Sequence, residues 1–165
     1  MIHIHPFPAR MAPEIALRGL EDLPSDALVL DPMSGSGMVI GTASKLGLNS
    51  IGYDLDPLAC LISRANGTPV TPDKARKLCG ALLERCQQLQ PDEIELPWVD
   101  FEKETRQYVE FWLAKKQQEQ LRALSYLLVA RPIFSNKSYL DLLKVAVSRL
   151  IVNKEPKVSL ASDTT

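Results

Sequence analysis

The sequence predicts an α/β fold, a three-layer arrangement begun but not completed within the chain and followed by a helical stretch. Three observations predict it. Ala27-Leu28-Val29-Leu30 is a short continuous apolar run, the pattern of a strand buried on both faces of a parallel sheet. Asp31-Pro32-Met33-Ser34-Gly35-Ser36-Gly37 follows as a turn of small residues, leading into a helical pattern and a second short strand at 49–53. Strand, glycine turn, helix and strand together form a βαβ unit. From about Thr71 onward, strand patterns give way to helical ones.

Taken in order, residues 1–11 are proline-rich and extended. Ala12 to Leu23 reads as a short helix, with Pro13 in its first turn and Ile15, Leu17, Leu20 and Leu23 as its apolar side. Pro24-Ser25 ends it. Met38 to Leu46 is the helix after the glycine turn, closed by Gly47 as a left-handed C-terminal residue. Pro57 opens a further helix to about Ala65. Residues 1–70 thus form the βαβ part, 71–155 a helical insert, and 156–165 a polar, loose tail. Within the insert, Thr71 caps and Pro72 starts a helix to about Leu89, with Leu78, Leu82, Cys86 and Leu89 on one side. Residues 90–100 read as a loop with Pro91 and Pro97, and helices at about 113–130 and 138–152 are separated by Arg131-Pro132. Both expected strands precede residue 55, whereas sheets average roughly five or six strands. The missing strands are expected from another chain, or from a longer chain of which this is a part.

The 165 residues are enough for one domain with its own core. Net charge is −1 and the isoelectric point about 6.1, which argues against strong phosphate binding by the whole piece but leaves room for a local basic surface. There is no long apolar run of membrane-spanning length, and the start MIHIHPFPAR is not a secretory signal. A reduced cytoplasm is therefore the expected compartment. Cys60, Cys79 and Cys86 form no Cys-x-x-Cys pair; Cys79 and Cys86 are expected to pack on one helix face. The triplets Asn66-Gly67-Thr68 and Asn136-Lys137-Ser138 carry no glycosylation meaning without a secretory signal.

The turn after the first strand carries the chemistry. Gly35 and Gly37 let the backbone bend sharply and approach a ligand, and the following helix presents free N–H groups. Such a turn holds an adenosine-containing cofactor at the carboxyl edge of a sheet. Asp54, at the end of the next strand, is placed to accept hydrogen bonds from both ribose hydroxyls. Gly35-Ser36-Gly37-Met38-Val39-Ile40 fails the dinucleotide fingerprint at its last position, and no Gly-Lys-Ser/Thr exists for a P-loop. Asp31 would repel a pyrophosphate but suits the ammonium of a methionine moiety. A glycine turn in a purely structural βαβ unit remains the alternative.

Asp31-Pro32-Met33-Ser34-Gly35-Ser36-Gly37 resembles the Asp-Pro-Phe-x-Gly-Ser-Gly cofactor loop of the amino-methyltransferases that modify DNA bases. Ile51-Gly52-Tyr53-Asp54-Leu55-Asp56-Pro57-Leu58-Ala59 resembles the second motif of that family. His5-Pro6-Phe7-Pro8-Ala9-Arg10-Met11-Ala12-Pro13-Glu14 resembles the segment that closes over the methionine part of the cofactor. The resemblance covers about residues 5–70, and Phe111-Trp112-Leu113 leads into what resembles the insert of some relatives. It implies a Rossmann-like class I methyltransferase fold, incomplete here, with S-adenosylmethionine as cofactor. The implied cofactor-binding residues are Asp31, Pro32, Met33, Ser34, Gly35, Ser36, Gly37, Asp54, Leu55, Phe7 and Arg10. Arg10 would reach the cofactor carboxylate or a phosphate, with a plain surface arginine the alternative; Asp56 or the backbone near Leu55 would border the adenine. Met33 stands where phenylalanine is common, Met38 where threonine is common, and Asp56 where asparagine is frequent.

The resemblance implies methylation of an exocyclic amino group of adenine or cytosine in DNA, by a loop reading Asp/Asn/Ser-Pro-Pro-Tyr/Phe that holds and stacks on a flipped base. No Pro-Pro pair occurs in this sequence, so no catalytic residue is assigned and the chain alone is expected to be inactive. DNA is the expected partner, reached with the remaining half or a complementing subunit. An RNA methyltransferase fragment and a non-catalytic scaffold stay open.

The other candidates are weaker. His3 and His5 alternate toward one side, but two ligands do not make a metal site. Lys115, Lys116, Arg122 and Arg131 read as a solvated face, with Glu110 and Glu119 among them. Trp98 and Trp112 read as packing anchors.

Overall fold

The computed structural model describes residues 11–151. The expected extended N-terminal stretch, with Phe7 and Arg10, and the tail beyond residue 155 lie outside them. The chain divides into two compact units, Met1–Pro69 and Val70–Thr165. It is a mixed α/β protein, mostly helical, with one two-stranded parallel sheet among the described residues.

The first unit runs α1 (Pro13–Leu20), β1 (Leu28–Asp31), α2 (Met38–Lys45), β2 (Asn49–Gly52) and α3 (Pro57–Gly67). Proline opens α1 and α3, where its missing N–H has no intrahelical partner to lose. Helix α2 stops at a Schellman motif: Gly47 sits at φ 74°, its N–H donates to Ser44, and the N–H of Leu48 donates to Ala43 at 2.9 Å. Leu48 thereby swings into the core, packing with Leu20, Val29 and Ala43.

The sheet pairs Leu28 with Asn49, Val29 with Ser50, Leu30 with Ile51 and Asp31 with Gly52. Side chains alternate across a strand, so Val29 faces the α1–α2 side and is buried. Gly52 shares that side, where an added Cβ would meet Ser34 and Ile40 at 3.0–3.1 Å. The opposite face carries Leu28 and Leu30, each 62% exposed, Ile51 at 42% and Tyr53 at 61%. The expectation of a strand buried on both faces is therefore corrected. Among the described residues of this unit, α1, α2 and α3 pack together through α2. The apolar side expected for α1 is corrected too: Ala16 and Leu20 are buried, while Ile15, Leu17 and Leu23 are exposed.

The second unit contains α4 (Pro72–Gln88), α5 (Pro97–Asp100), α6 (Lys103–Trp112), α7 (Lys115–Ser125) and α8 (Lys137–Ile151). Its core gathers Leu82, Leu124, Leu127, Leu128 and Leu143, with Leu78, Cys86 and Leu89 packed against them. Burial pushes the Cys86 thiol pKa up, but Cys79 is exposed, so the two cysteines do not pack alike. Thr71 occupies the α4 N-cap position without a side-chain cap bond; instead its hydroxyl pairs with the Tyr139 hydroxyl at 3.0 Å, which also accepts its N–H at 3.1 Å. The helix expected at 113–130 is α7 followed by a π-helical turn, Tyr126–Ala130. Residues 90–100, read as a loop, hold a 3-10 turn at Pro91–Glu93 and the short α5. Helix α6 was not expected at all.

Candidate functional site

The glycine turn between β1 and α2 is held from three directions. From β2, the carbonyl of Tyr53 accepts the N–H of Ser34 at 2.8 Å, while Tyr53 donates to the carbonyl of Asp31 at 2.9 Å. From the end of β2, Asp54 accepts the N–H of Gly35 on Oδ2 at 2.7 Å and that of Asp56 on Oδ1 at 2.9 Å. From α3, the Asn66 side-chain amide donates to the Ser36 carbonyl at 2.7 Å. Gly35 and Gly37 lie at φ 49° and 75°, left-handed conformations that glycine adopts freely. Gly37 also meets α3 closely: a Cβ there would lie 2.5 Å from the Ser63 hydroxyl and 2.7 Å from the Ser63 Cα. Glycine is thus required at this position by backbone conformation and by space.

The electrostatics follow from these bonds. The backbone N–H of Asp56, then that of Gly35, holds the Asp54 carboxyl below its ordinary pKa of 3.8. Asp54 is an anion at neutral pH whose two oxygens are fixed in direction and keep acceptor capacity. Asp56 is occupied differently: its Oδ1 caps α3 by accepting the N–H of Leu58 at 2.8 Å. Of the two groups expected to border an adenine, Asp56 is thus engaged as a cap, while Leu55 is fully exposed.

A cleft of about 320 Å³ opens beside the turn, lined by Met11, Asp31, Met33, Ser34, Gly35, Ser36, Met38 and Val39. Of the residues expected to bind a cofactor, Asp31, Met33, Ser34, Gly35 and Ser36 share this wall. Gly37 opens α2 behind it, and Asp54 is bonded to the wall through Gly35. Met33 is 84% exposed, and the Asp31 carboxylate accepts the Met33 N–H at 3.2 Å. Pro32 and Leu55 are exposed and do not line the cleft; Phe7 and Arg10 lie outside the described residues. Met11, from the same N-terminal segment, is on the cleft wall. Sequence reasoning did not point to Ser63 and Asn66 of α3, whose only local signal is their helical spacing, one turn apart.

The donor set suits a particular class of ligand. Among the described residues no lysine or arginine lines the cleft. A carboxylate and three methionines offer instead an acceptor for a cation and soft apolar contact. An ionised acid at the end of the second strand offers two acceptor oxygens for a diol.

The remaining candidates resolve as follows. Among the described residues no group of three His, Cys, Asp or Glu is placed to hold a metal, and His3 and His5 lie outside them. Arg122 is engaged by Asp100 through two bonds at 2.7 and 3.2 Å and by the Ile94 carbonyl at 3.1 Å, so it is not part of a free basic face. Trp112 is half-buried, edge-on to Phe111 at 4.7 Å, while Trp98 is 40% exposed. A smaller, apolar cavity of about 140 Å³ in the second unit is lined by Leu96, Val99, Tyr108, Leu113 and Leu121 among others. No helix among the described residues is long and apolar enough to cross a membrane.

No family model and no solved structure matches the chain. Two relatives do. The chain is 27% identical over 86 residues to the type II methyltransferase M.MjaII of Methanocaldococcus jannaschii, a match covering 52% of this chain and 16% of that protein. It is 34% identical over 74 residues to the type II methyltransferase M.MvaI of Kocuria varians, covering 42% of this chain and 16% of that protein. The chain is therefore related in sequence to type II methyltransferases over about half its length, and spans about a sixth of the relatives it matches.

Proposed function

We propose that the first unit binds S-adenosylmethionine and is the cofactor half of a DNA methyltransferase acting on an exocyclic amino group of adenine or cytosine. The observation that carries this reading is the cleft itself. Asp31, Met33 and Gly35 meet there, Asp54 is bonded to Gly35, and among the described residues no basic side chain lines it. The kinship with type II methyltransferases supports the same reading.

In this reading Asp31 faces the ammonium of the methionine arm, Met33 and Pro32 pack against that arm, and Asp54 accepts from the ribose hydroxyls. Leu55 borders the adenine, and Phe7 and Arg10 close the methionine end. When bound, the cofactor supplies an electrophilic methyl group on a sulfonium. This chain's contribution is to fix that methyl in one orientation, which is where alignment-based catalysis gains its rate. Residues 71–155 form a helical insert, and 156–165 a tail. The Pro-Pro-aromatic loop that would hold the base is absent from the sequence and comes from another polypeptide segment, so the chain alone transfers no methyl group.

One observation favours a complementing subunit. Parallel sheets occur almost only with both faces covered, yet Leu28, Leu30, Ile51 and Tyr53 are exposed on one face. Competitive binding tests the cofactor class: S-adenosylmethionine and S-adenosylhomocysteine bind the folded chain, while ATP and NAD do not displace them. Binding of ATP with equal affinity, or of none of the four, contradicts the reading; the last outcome favours a scaffold.

A further inference from the structure

The contacts from α3 to the glycine turn have no counterpart among the residues expected to touch a ligand. Asn66 sits in the last turn of α3, thirty residues from the turn it bonds. Its amide donates to the Ser36 carbonyl at 2.7 Å, in a part-buried setting where water competes weakly for that acceptor. Ser63, one helical turn earlier and buried, lies against Gly37 closely enough to exclude any side chain there. Ser36 is itself buried. A loop with two left-handed residues has many other conformations open to it, and the bonds from β2 fix only Ser34 and Gly35. Within the turn the Gly37 N–H donates to the Ser34 carbonyl at 2.7 Å; the other end of the same peptide, the Ser36 carbonyl, is held from α3.

We propose that Asn66 is a positioning residue for the cofactor turn: its side-chain amide, backed by Ser63 against Gly37, sets the orientation of the Ser36–Gly37 peptide and thereby the ligand affinity of the cleft. This rests on the cofactor-binding reading above, and Asn66 itself touches no ligand. The bond is directional, since only a donor at this position satisfies the Ser36 carbonyl. Aspartate has nearly the shape of asparagine but, when ionised, presents an oxygen to that carbonyl. Glutamine keeps the donor on a longer arm.

The test compares the full chain with Asn66→Asp and Asn66→Gln at neutral pH. S-adenosylmethionine affinity is measured by calorimetry, global stability by thermal melting, and amide hydrogen exchange at residues 34–38 in the ligand-free proteins. The expected result for Asn66→Asp is an affinity loss of about tenfold or more, with exchange at Ser36 and Gly37 accelerated and exchange in β1 and β2 unchanged. Asn66→Gln recovers most of the affinity and the protection. Wild-type affinity in Asn66→Asp overturns the proposal, as does an equal loss in both variants with equal drops in melting temperature, which would make Asn66 a packing residue. If the wild-type chain binds no S-adenosylmethionine, the cofactor reading fails, and hydrogen exchange still decides the latch: unchanged protection at residues 34–38 in Asn66→Asp overturns it.

Discussion

The N–H of Gly35 donates to Oδ2 of Asp54 at 2.7 Å, joining the turn after β1 to the residue just beyond β2 across 19 positions of sequence. The same carboxylate takes the N–H of Asp56 on its other oxygen. One acid thus ties the turn after β1 to the segment after β2 before any ligand arrives.

Acid sensitivity follows from that arrangement. The folded-state pKa of Asp54 is lowered, first by the Asp56 N–H and then by that of Gly35. A depressed carboxylate contributes stability above its unfolded pKa and loses it as pH falls through the folded value. The contribution is complete above the ordinary value of 3.8 and fades below it. Asp54→Asn is expected to flatten the fall of melting temperature below that pH relative to wild type; parallel acid limbs would contradict the account.

Gly37→Ala places a methyl group against Ser63 in a left-handed conformation. The conformation alone costs roughly 1–2 kcal/mol, and the collision adds to it. Chemical denaturation should show a loss of about 2 kcal/mol or more. Gly47→Ala, with a similar φ but open space around its Cβ, should lose only the conformational part.

In the second unit, Asp100 accepts from both Arg122 and the Leu96 N–H, and Arg122 first among these holds its pKa down. Both side chains are about 30% exposed, so solvent screens the pair. Arg122→Ala is expected to cost about 1 kcal/mol in denaturant titration. Asp100→Asn, which keeps an acceptor for Leu96, should cost less.

The exposed sheet face predicts self-association. Leu28, Leu30 and Ile51 present adjacent apolar side chains. Leu30→Thr combined with Ile51→Thr should lower the self-association seen by sedimentation without lowering the melting temperature. A wild-type chain that is monomeric at high concentration would contradict this.

What was legible in the sequence was local. Pro13, Pro57 and Pro72 mark helix starts and Gly47 a helix end because their backbone constraints act within a few residues. The turn of Asp31 to Gly37 was legible for the same reason. Whether Leu28 and Leu30 are covered was not, since an apolar run records composition and not what lies above it. Helix α6 was hard to read because its apolar residues, Tyr108, Val109, Phe111 and Trp112, all fall in its second half, too short a stretch to show a helical repeat by itself. The Asn66 contact was hidden because it forms only when α3 folds back onto the turn.

The most direct measurement is calorimetric titration of the folded chain with S-adenosylmethionine, beside Asp54→Ala. The account predicts one site in the wild-type chain and an affinity lower by at least about tenfold in the variant, since a charge-assisted acceptor is removed. No binding by the folded wild-type chain, or equal binding by Asp54→Ala, would contradict it.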